Sequence, residues 1–323
     1  MQKITPHLWF DKEAKEAAEF YTSVFPNSKI TNITTLHDTP SGSVEIVSFV
    51  LSRQAFMAIS AGPLFKFNPS ISSHVKCKTK DEVDALWKKL SKGGIILMEL
   101  GKYPWSEKYG WLQDKYGLSW QIIFVGEGEI KQKITPVLMF VGDVCGKAEE
   151  AVNFYTSVFK NAPFDSAQAF GSEVFDREAQ TESAQARRGV SKVGNIIRYG
   201  KGEEPDRQGS LKYAAFTLEG QEFGAMDSAH KHNFTFNEAI SFMVYCETQK
   251  GVDYFWEKLS AVPEAEQCGW LKDKYGLSWQ IVPTALGKMM TDGSKEQIDR
   301  VTQAFLPMKK FDIAKLKKAY EGR

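Results

Sequence analysis

From Ile4 to Phe10 every second residue is apolar: Ile4, Pro6, Leu8 and Phe10 share one side, leaving Thr5, His7 and Trp9 on the other. A period of two is the spacing of a strand with one buried face. The period then lengthens. Ala14, Ala17, Ala18, Tyr21, Val24 and Phe25 recur at helical spacing and predict a helix after that strand. Alternation returns beyond Asn68, with Ile71, Ser73, Val75 and Cys77 on the core side and Ser72, His74 and Lys76 opposite. A second helix is expected to open at Thr79-x-x-Glu82, a capping box in which a threonine oxygen and a glutamate satisfy reciprocal backbone donors. In a last strand Gln121 and Ile123 share a face. The order strand, helix, strands therefore runs twice.

The pattern then starts again. GWLQDKYGLSWQI, from Gly110 to Ile122, returns as GWLKDKYGLSWQI from Gly269 to Ile281, differing only at Gln113 and Lys272. KITP at Lys3 returns at Lys133, FYTSVF at Phe20 returns at Phe154, and VDALWKKLS at Val83 returns as VDYFWEKLS at Val252. Such ordered self-similarity is an internal duplication. The division expected is a first domain at 1–128, a polar linker at 129–133, a second domain at 134–284 and a helical tail at 285–323. The second copy is longer, and its excess around 171–209 is polar enough to be read as exposed loop or surface hairpin. In the tail, Ser294-x-x-Gln297 is another capping box and Ile298, Val301 and Phe305 form an apolar stripe. Asp312 can cap a last helix, and the tail is expected to clamp one domain or the seam between the two.

Composition narrows the function classes. With 323 residues each copy can bury its own core. A net charge of +1 leaves no field that would attract nucleic acid or an anionic membrane. No segment is long and apolar enough to cross a bilayer, and the amino terminus has no signal-peptide run, so the expectation is a cytoplasmic protein. Cys77, Cys145, Cys246 and Cys268 form no zinc spacing, and Cys77 and Cys246 occupy matching strand positions as buried thiols.

ITPHLWF with EAAEFYTSVF, SISSHVKCKTKDEVDALWKKL and the two DKYGLSWQI segments resemble the PhnB-like branch of the vicinal oxygen chelate (glyoxalase/bleomycin-resistance) superfamily, often labelled demethylubiquinone methyltransferase-like. The resemblance implies an α+β fold in which each domain is two βαβββ modules forming a cup-shaped curved sheet. It also implies that tandem copies form an internal pseudo-dimer, which could pair again as a homo-oligomer.

The cup faces assigned by alternation name the site. In the first copy these are Thr5, His7, Trp9, Ser72, His74 and Gln121; in the second, Thr135, Met139, His232, Ser241, Met243 and Gln280. The superfamily's metal enzymes draw a ligand from each of three such strands, which would bring His7, His74 and Gln121 together. Val137, Met243 and Gln280 replace them in the second copy, and Gln121 stands at the family's glutamate position. The plain alternative makes both histidines ordinary pocket residues. No cofactor is therefore expected, and the leading expectation is metal-independent binding of a small molecule. Its rival is a metal-dependent lyase, isomerase or dioxygenase with its site in the first domain. Methyl transfer lacks a glycine-rich donor-binding turn. Asp114 and Asp273 are expected to bond the DKYG turn, and the tryptophans of the repeated segment to serve packing.

Overall fold

The alternating amino-terminal segment forms strand β1 (Ile4–Phe10), followed by α1 (Ala14–Val24), β2 (Lys29–Thr39), β3 (Gly42–Leu51) and β4 (Gln54–Ser60). The computed structural model describes residues 2–39, 41–163 and 190–323, so part of the expected insertion, 171–189, lies outside the described residues. A second βαβββ module holds β5 (Ile71–Cys77), α2 (Lys80–Leu90), β6 (Ile95–Tyr103), β7 (Ser106–Gln113) and β8 (Ser119–Phe124). The second copy repeats the order with β9 (Ile134–Phe140), α3 (Ala148–Lys160), β10 (Lys192–Arg198), β11 (Leu211–Leu218) and β12 (Gln221–Asp227). Its last module is β13 (Ile240–Cys246), α4 (Gln249–Leu259), β14 (Trp270–Lys272) and β15 (Ser278–Pro283). The tail folds as α5 (Thr284–Asp292), α6 (Lys295–Phe305) and α7 (Ile313–Glu321). Of the segment expected to be exposed loop or surface hairpin, the described part forms a hairpin: 192–198 is strand β10, which pairs antiparallel with β11 across an enlarged connection.

The sheets do not follow the copies. Sheet A has seven strands in the order β14-β15-β13-β1-β4-β3-β2, and sheet B has eight in the order β10-β11-β12-β9-β5-β8-β7-β6. The first module of copy one thus shares a sheet with the last module of copy two, and the two middle modules share the other. The joints are antiparallel: β1 pairs with β13 (Thr5 opposite Met243), and β5 with β9 (His74 opposite Thr135). The expected domains at 1–128 and 134–284 are sequence repeats, and neither contains a whole cup.

Polar side chains stitch the copies reciprocally. Gln54 Nε2 donates to Ile134 O and Ile134 N to Gln54 Oε1, both at 2.7 Å, and Gln221 makes the same pair with Ile4, again at 2.7 Å. Asn68 Nδ2 donates to Thr235 O and Asn237 Nδ2 to Lys66 O, both at 2.9 Å, so these loop asparagines clasp each other's loops.

The repeated DKYGLSW segment is a hydrogen-bond node. Asp114 Oδ1 accepts from Tyr116 N (2.8 Å) and Leu118 N (3.1 Å), and its Oδ2 accepts from the Tyr21 hydroxyl and Trp120 Nε1, both at 2.8 Å. Asp273 repeats this with Tyr275 N (2.9 Å), Leu277 N (3.0 Å), the Tyr155 hydroxyl and Trp279 Nε1 (both 2.8 Å). The turn bond expected of these aspartates is present, and the same carboxylate also anchors a helix tyrosine and a core tryptophan. Burial outweighs these donors and pushes the Asp273 carboxyl up to about 6. Gly117 and Gly276 both take φ +86° in that turn, a conformation glycine alone enters freely.

Both arms of the Ser294–Gln297 capping box form, whereas Glu82 reaches back one residue further than expected, to Lys78 N at 2.9 Å. Expressed as separate chains, residues 1–131 and 132–323 should co-purify as an equimolar complex, because each alone leaves two central strand edges unpaired. Two independent folded monomers on a sizing column would contradict the shared sheets.

Candidate ligand-binding cups

Register places four side chains in a row across the hollow face of each sheet. In sheet A the row is Thr5, Met243, Gln280 and Trp270. In sheet B it is Thr135, His74, Gln121 and Trp111. The two predicted cups are therefore each cut in half. Thr5, His7 and Trp9 join Ser241, Met243 and Gln280 on sheet A, while Ser72, His74 and Gln121 join Thr135 and Met139 on sheet B. Strand pairing between copies is the cause, because both halves of a cup carry the same alternation and fit either partner. His7 and His74 lie on different sheets, so the triad His7, His74 and Gln121 does not assemble. His232 lies in the loop after β12, where its Nε2 meets Ser228 Oγ at 2.9 Å and its ring packs on Phe234.

Sheet A's hollow is occupied by the protein's own tail. Leu36, Val44, Met243 and Val282 form one apolar cluster with Leu286, Met289, Val301, Phe305, Phe311 and Leu316, and Trp9, Ile46, Met57 and Ile59 pack against it. The tail also lies beside β14, with Cys268 N donating to Met308 O and Gly269 N to Lys309 O, both at 2.7 Å. A Cβ on Gly269 would come within 2.3 Å of the Phe311 ring; its counterpart Gly110 would strike Trp87 at 2.4 Å. The same repeated glycine thus admits a tail ring in one copy and a helix ring in the other. Under this cover His7 is 3% exposed, its Nδ1 has no partner, and Trp270 stands edge-on at 5.3 Å. Burial pushes the imidazole down to about 3.

On sheet B, Gln121 is held from both ends: Nε2 donates to Ser72 Oγ at 2.7 Å and Oε1 accepts from the Tyr109 hydroxyl at 2.8 Å. Tyr109 belongs to an aromatic group in which Tyr103 and Trp105 stack at 5.1 Å and Tyr109 stands edge-on to both at 5.5 Å. Trp111 is fixed through Nε1 to Ser119 Oγ at 2.7 Å. Opposite them Tyr213 lies over Gly224, where a Cβ would come within 2.9 Å of its hydroxyl. Three polar atoms in this setting have no partner: Thr135 Oγ1 and both ring nitrogens of His74. Thr135 is 2% exposed; His74 is half-buried, with both ring nitrogens covered. Burial, with some help from Lys76, pushes His74 down to about 4. In sheet A the equivalent Thr5 reaches the Tyr245 phenol, but in sheet B the matching position is Lys76, which pairs with Glu222.

Tyr109, Trp111 and Tyr213 were not expected among the site residues. The readable signal was divergence next to identity: Tyr109-Gly110-Trp111 becomes Cys268-Gly269-Trp270 at the head of an otherwise constant segment. Trp111 and Trp270, expected to serve packing, are half-buried on the hollow faces, whereas Trp120 and Trp279 are core. Among the described residues no group of three or more His, Cys, Asp or Glu side chains could hold a metal ion, and no helix is long and apolar enough to cross a membrane.

Paired βαβββ modules with two large curved sheets define a tandem glyoxalase-fold protein. The family model for 3-demethylubiquinone-9 3-methyltransferase matches residues 2–123 and 188–282, and the chain belongs to that PhnB-like family. A PhnB protein from Bacillus cereus is 42% identical over 38% of this chain and 100% of its own, with a TM-score of 0.36. A Staphylococcus aureus protein is 32% identical over 38% of this chain and 97% of its own, with a TM-score of 0.17. A glyoxalase I mutant from Zea mays, 11% identical, covers 89% of this chain and 96% of its own at a TM-score of 0.50, a likeness of fold. No curated protein matches.

Phe305→Ala should cost about 3 kcal/mol in chemical denaturation, the usual scale for emptying a buried phenylalanine site. An unchanged midpoint would mean that the tail does not support sheet A. Acid should separate wild type from His7→Leu. A histidine whose folded value lies below its unfolded value of 6.5 gives stability that is complete above that pH and is lost as pH falls toward about 3. Near pH 4.5 the wild type should therefore have lost about 2–3 kcal/mol more than the variant, relative to pH 7.5. Parallel pH profiles would show that His7 titrates normally.

Proposed function

We propose that this protein binds a small molecule on the hollow face of sheet B and does so without a metal. The glyoxalase-superfamily fold supports a small-molecule-binding role at the level of the family. The observation that carries the choice of sheet is the set of unpartnered atoms, Thr135 Oγ1 and the two His74 nitrogens, in a row with Gln121. Buried polar groups left unmade cost about 1–3 kcal/mol each, and a ligand that meets them recovers that cost. On sheet A the corresponding hollow face is packed against the tail.

The donor set on sheet B does not fit a divalent metal. One imidazole, one hydroxyl and a carboxamide whose oxygen already accepts from Tyr109 supply no anionic ligand, whereas metal sites in proteins rest on several imidazole, thiolate or carboxylate donors. Methyl transfer, the activity in the family's name, would need a second pocket for a methyl donor, and the sequence lacks the glycine-rich strand-to-helix turn that commonly supplies one.

A thermal-shift screen of metabolites on the full chain should give stabilising compounds whose effect is lost in His74→Phe and kept in Met243→Leu. Protein incubated with Zn²⁺, Mn²⁺, Ni²⁺ or Fe²⁺ and then desalted should retain well under one equivalent. Stoichiometric metal, lost on His74→Ala, would overturn the metal-free reading. Hits retained by His74→Phe and lost by Met243→Leu would move the site to sheet A.

A further inference from the structure

We propose that the ligand of the sheet B cup is an uncharged, flat aromatic molecule carrying both a hydrogen-bond donor and an acceptor, seated on His74 and Thr135 between Tyr109, Trp111 and Tyr213. The inference rests on the placement of the site just given and adds its chemical class. Three features of the cup carry it.

The first is charge. On the hollow face of β5, β8, β9, β11 and β12 the charged side chains among the described residues are Lys76 and Glu222, and these pair with each other at one end of the row. A ligand ion would meet no free counter-charge on this floor, and burying it unpaired is costly. The second is the hydrogen-bonding demand. A neutral imidazole offers one N–H donor and one bare nitrogen acceptor, and a hydroxyl can do either. His74 and Thr135, facing each other across β5 and β9, therefore ask for a partner that both gives and receives. Gln121 asks for less, because Ser72 and Tyr109 already fix its orientation. The third is shape. Tyr103, Trp105 and Tyr109 form one aromatic wall, Trp111 ends the row, and Tyr213 leans over Gly224 where any Cβ would collide with it. Flat rings pack favourably on such walls, edge-on or offset. Sheet A shows what changes when the class is abandoned: Met243 replaces His74, Cys268 replaces Tyr109, and the hollow accepts aliphatic and phenylalanine side chains from the tail.

The test uses the full chain with para-substituted benzene probes of similar size: 4-hydroxybenzamide (neutral, donor and acceptor), 4-hydroxybenzoate (anionic), tyramine (cationic) and p-xylene (no polar group). Binding is followed by ¹⁵N-histidine NMR, with the His74 signals assigned by their loss in His74→Phe, and by tryptophan fluorescence. The expected result is that the neutral amide shifts the His74 signals and binds about tenfold more tightly than the other three. Thr135→Val, which keeps the shape of the side chain, should weaken the amide by a similar factor and leave p-xylene unchanged. An ion that binds tightest while shifting His74 would overturn the class and leave the site standing. So would a charged or non-aromatic compound from the metabolite screen that moves His74 while all four probes fail. If no compound of any class moves the His74 signals, the placement of the site falls as well.

Discussion

Both cups depend on two antiparallel strand pairs, β1 with β13 and β5 with β9. A βαβββ module has a curved sheet with one open central edge, and such an edge needs a partner strand. Here the partner always comes from the other copy. Everything that faces a hollow is therefore composite: the row across sheet B takes Thr135 from copy two and His74, Gln121 and Trp111 from copy one. Gln54 and Gln221 lock the same junction by bonding the backbone of Ile134 and Ile4, and Asn68 and Asn237 lock the loops. Reciprocal contacts of this kind are what a two-fold interface requires, and a duplicated chain reproduces them within one molecule.

The modules and their faces were legible in the sequence; the partnership was not. Alternation in Ile4–Phe10 and Ile71–Cys77 correctly separates Thr5, His7, Ser72 and His74 from the core-facing residues. Duplication also announces itself in thirteen nearly identical positions. Yet β5 and β13 carry matching patterns, so either could complete the edge of β1. Local pattern decides which face of a strand is buried and is silent on which of two equivalent strands lies alongside. His7 and His74 belong to one repeat and still lie on different sheets, because the repeat is not the spatial unit.

The repeated DKYGLSW segment shows why some positions resist divergence while neighbours change. One buried carboxylate in each copy satisfies two turn amides, a helix tyrosine and a core tryptophan, so its loss would strand four donors at once. Tyr21 and Tyr155 belong to that node, which accounts for the repetition of FYTSVF beside it. Burial nevertheless raises both carboxyls, so these nodes hold the fold with charge kept at some expense. Residues just outside the node, Tyr109 against Cys268 and His74 against Met243, carry none of this demand and have been free to differ.

Those differences, with the tail, set the two cups on separate courses. Where Met243 and Cys268 stand, the hollow is apolar enough for α5–α7 to fill it, and His7 is left buried with an unmet nitrogen. Where His74 and Tyr109 stand, the row keeps its polar floor. A tail has only one end to offer: it leaves directly from β15, a strand of sheet A, whereas β8 of sheet B runs on through a short linker into β9. Connectivity alone thus places the tail on sheet A, while sheet B keeps the polar row of Thr135, His74 and Gln121.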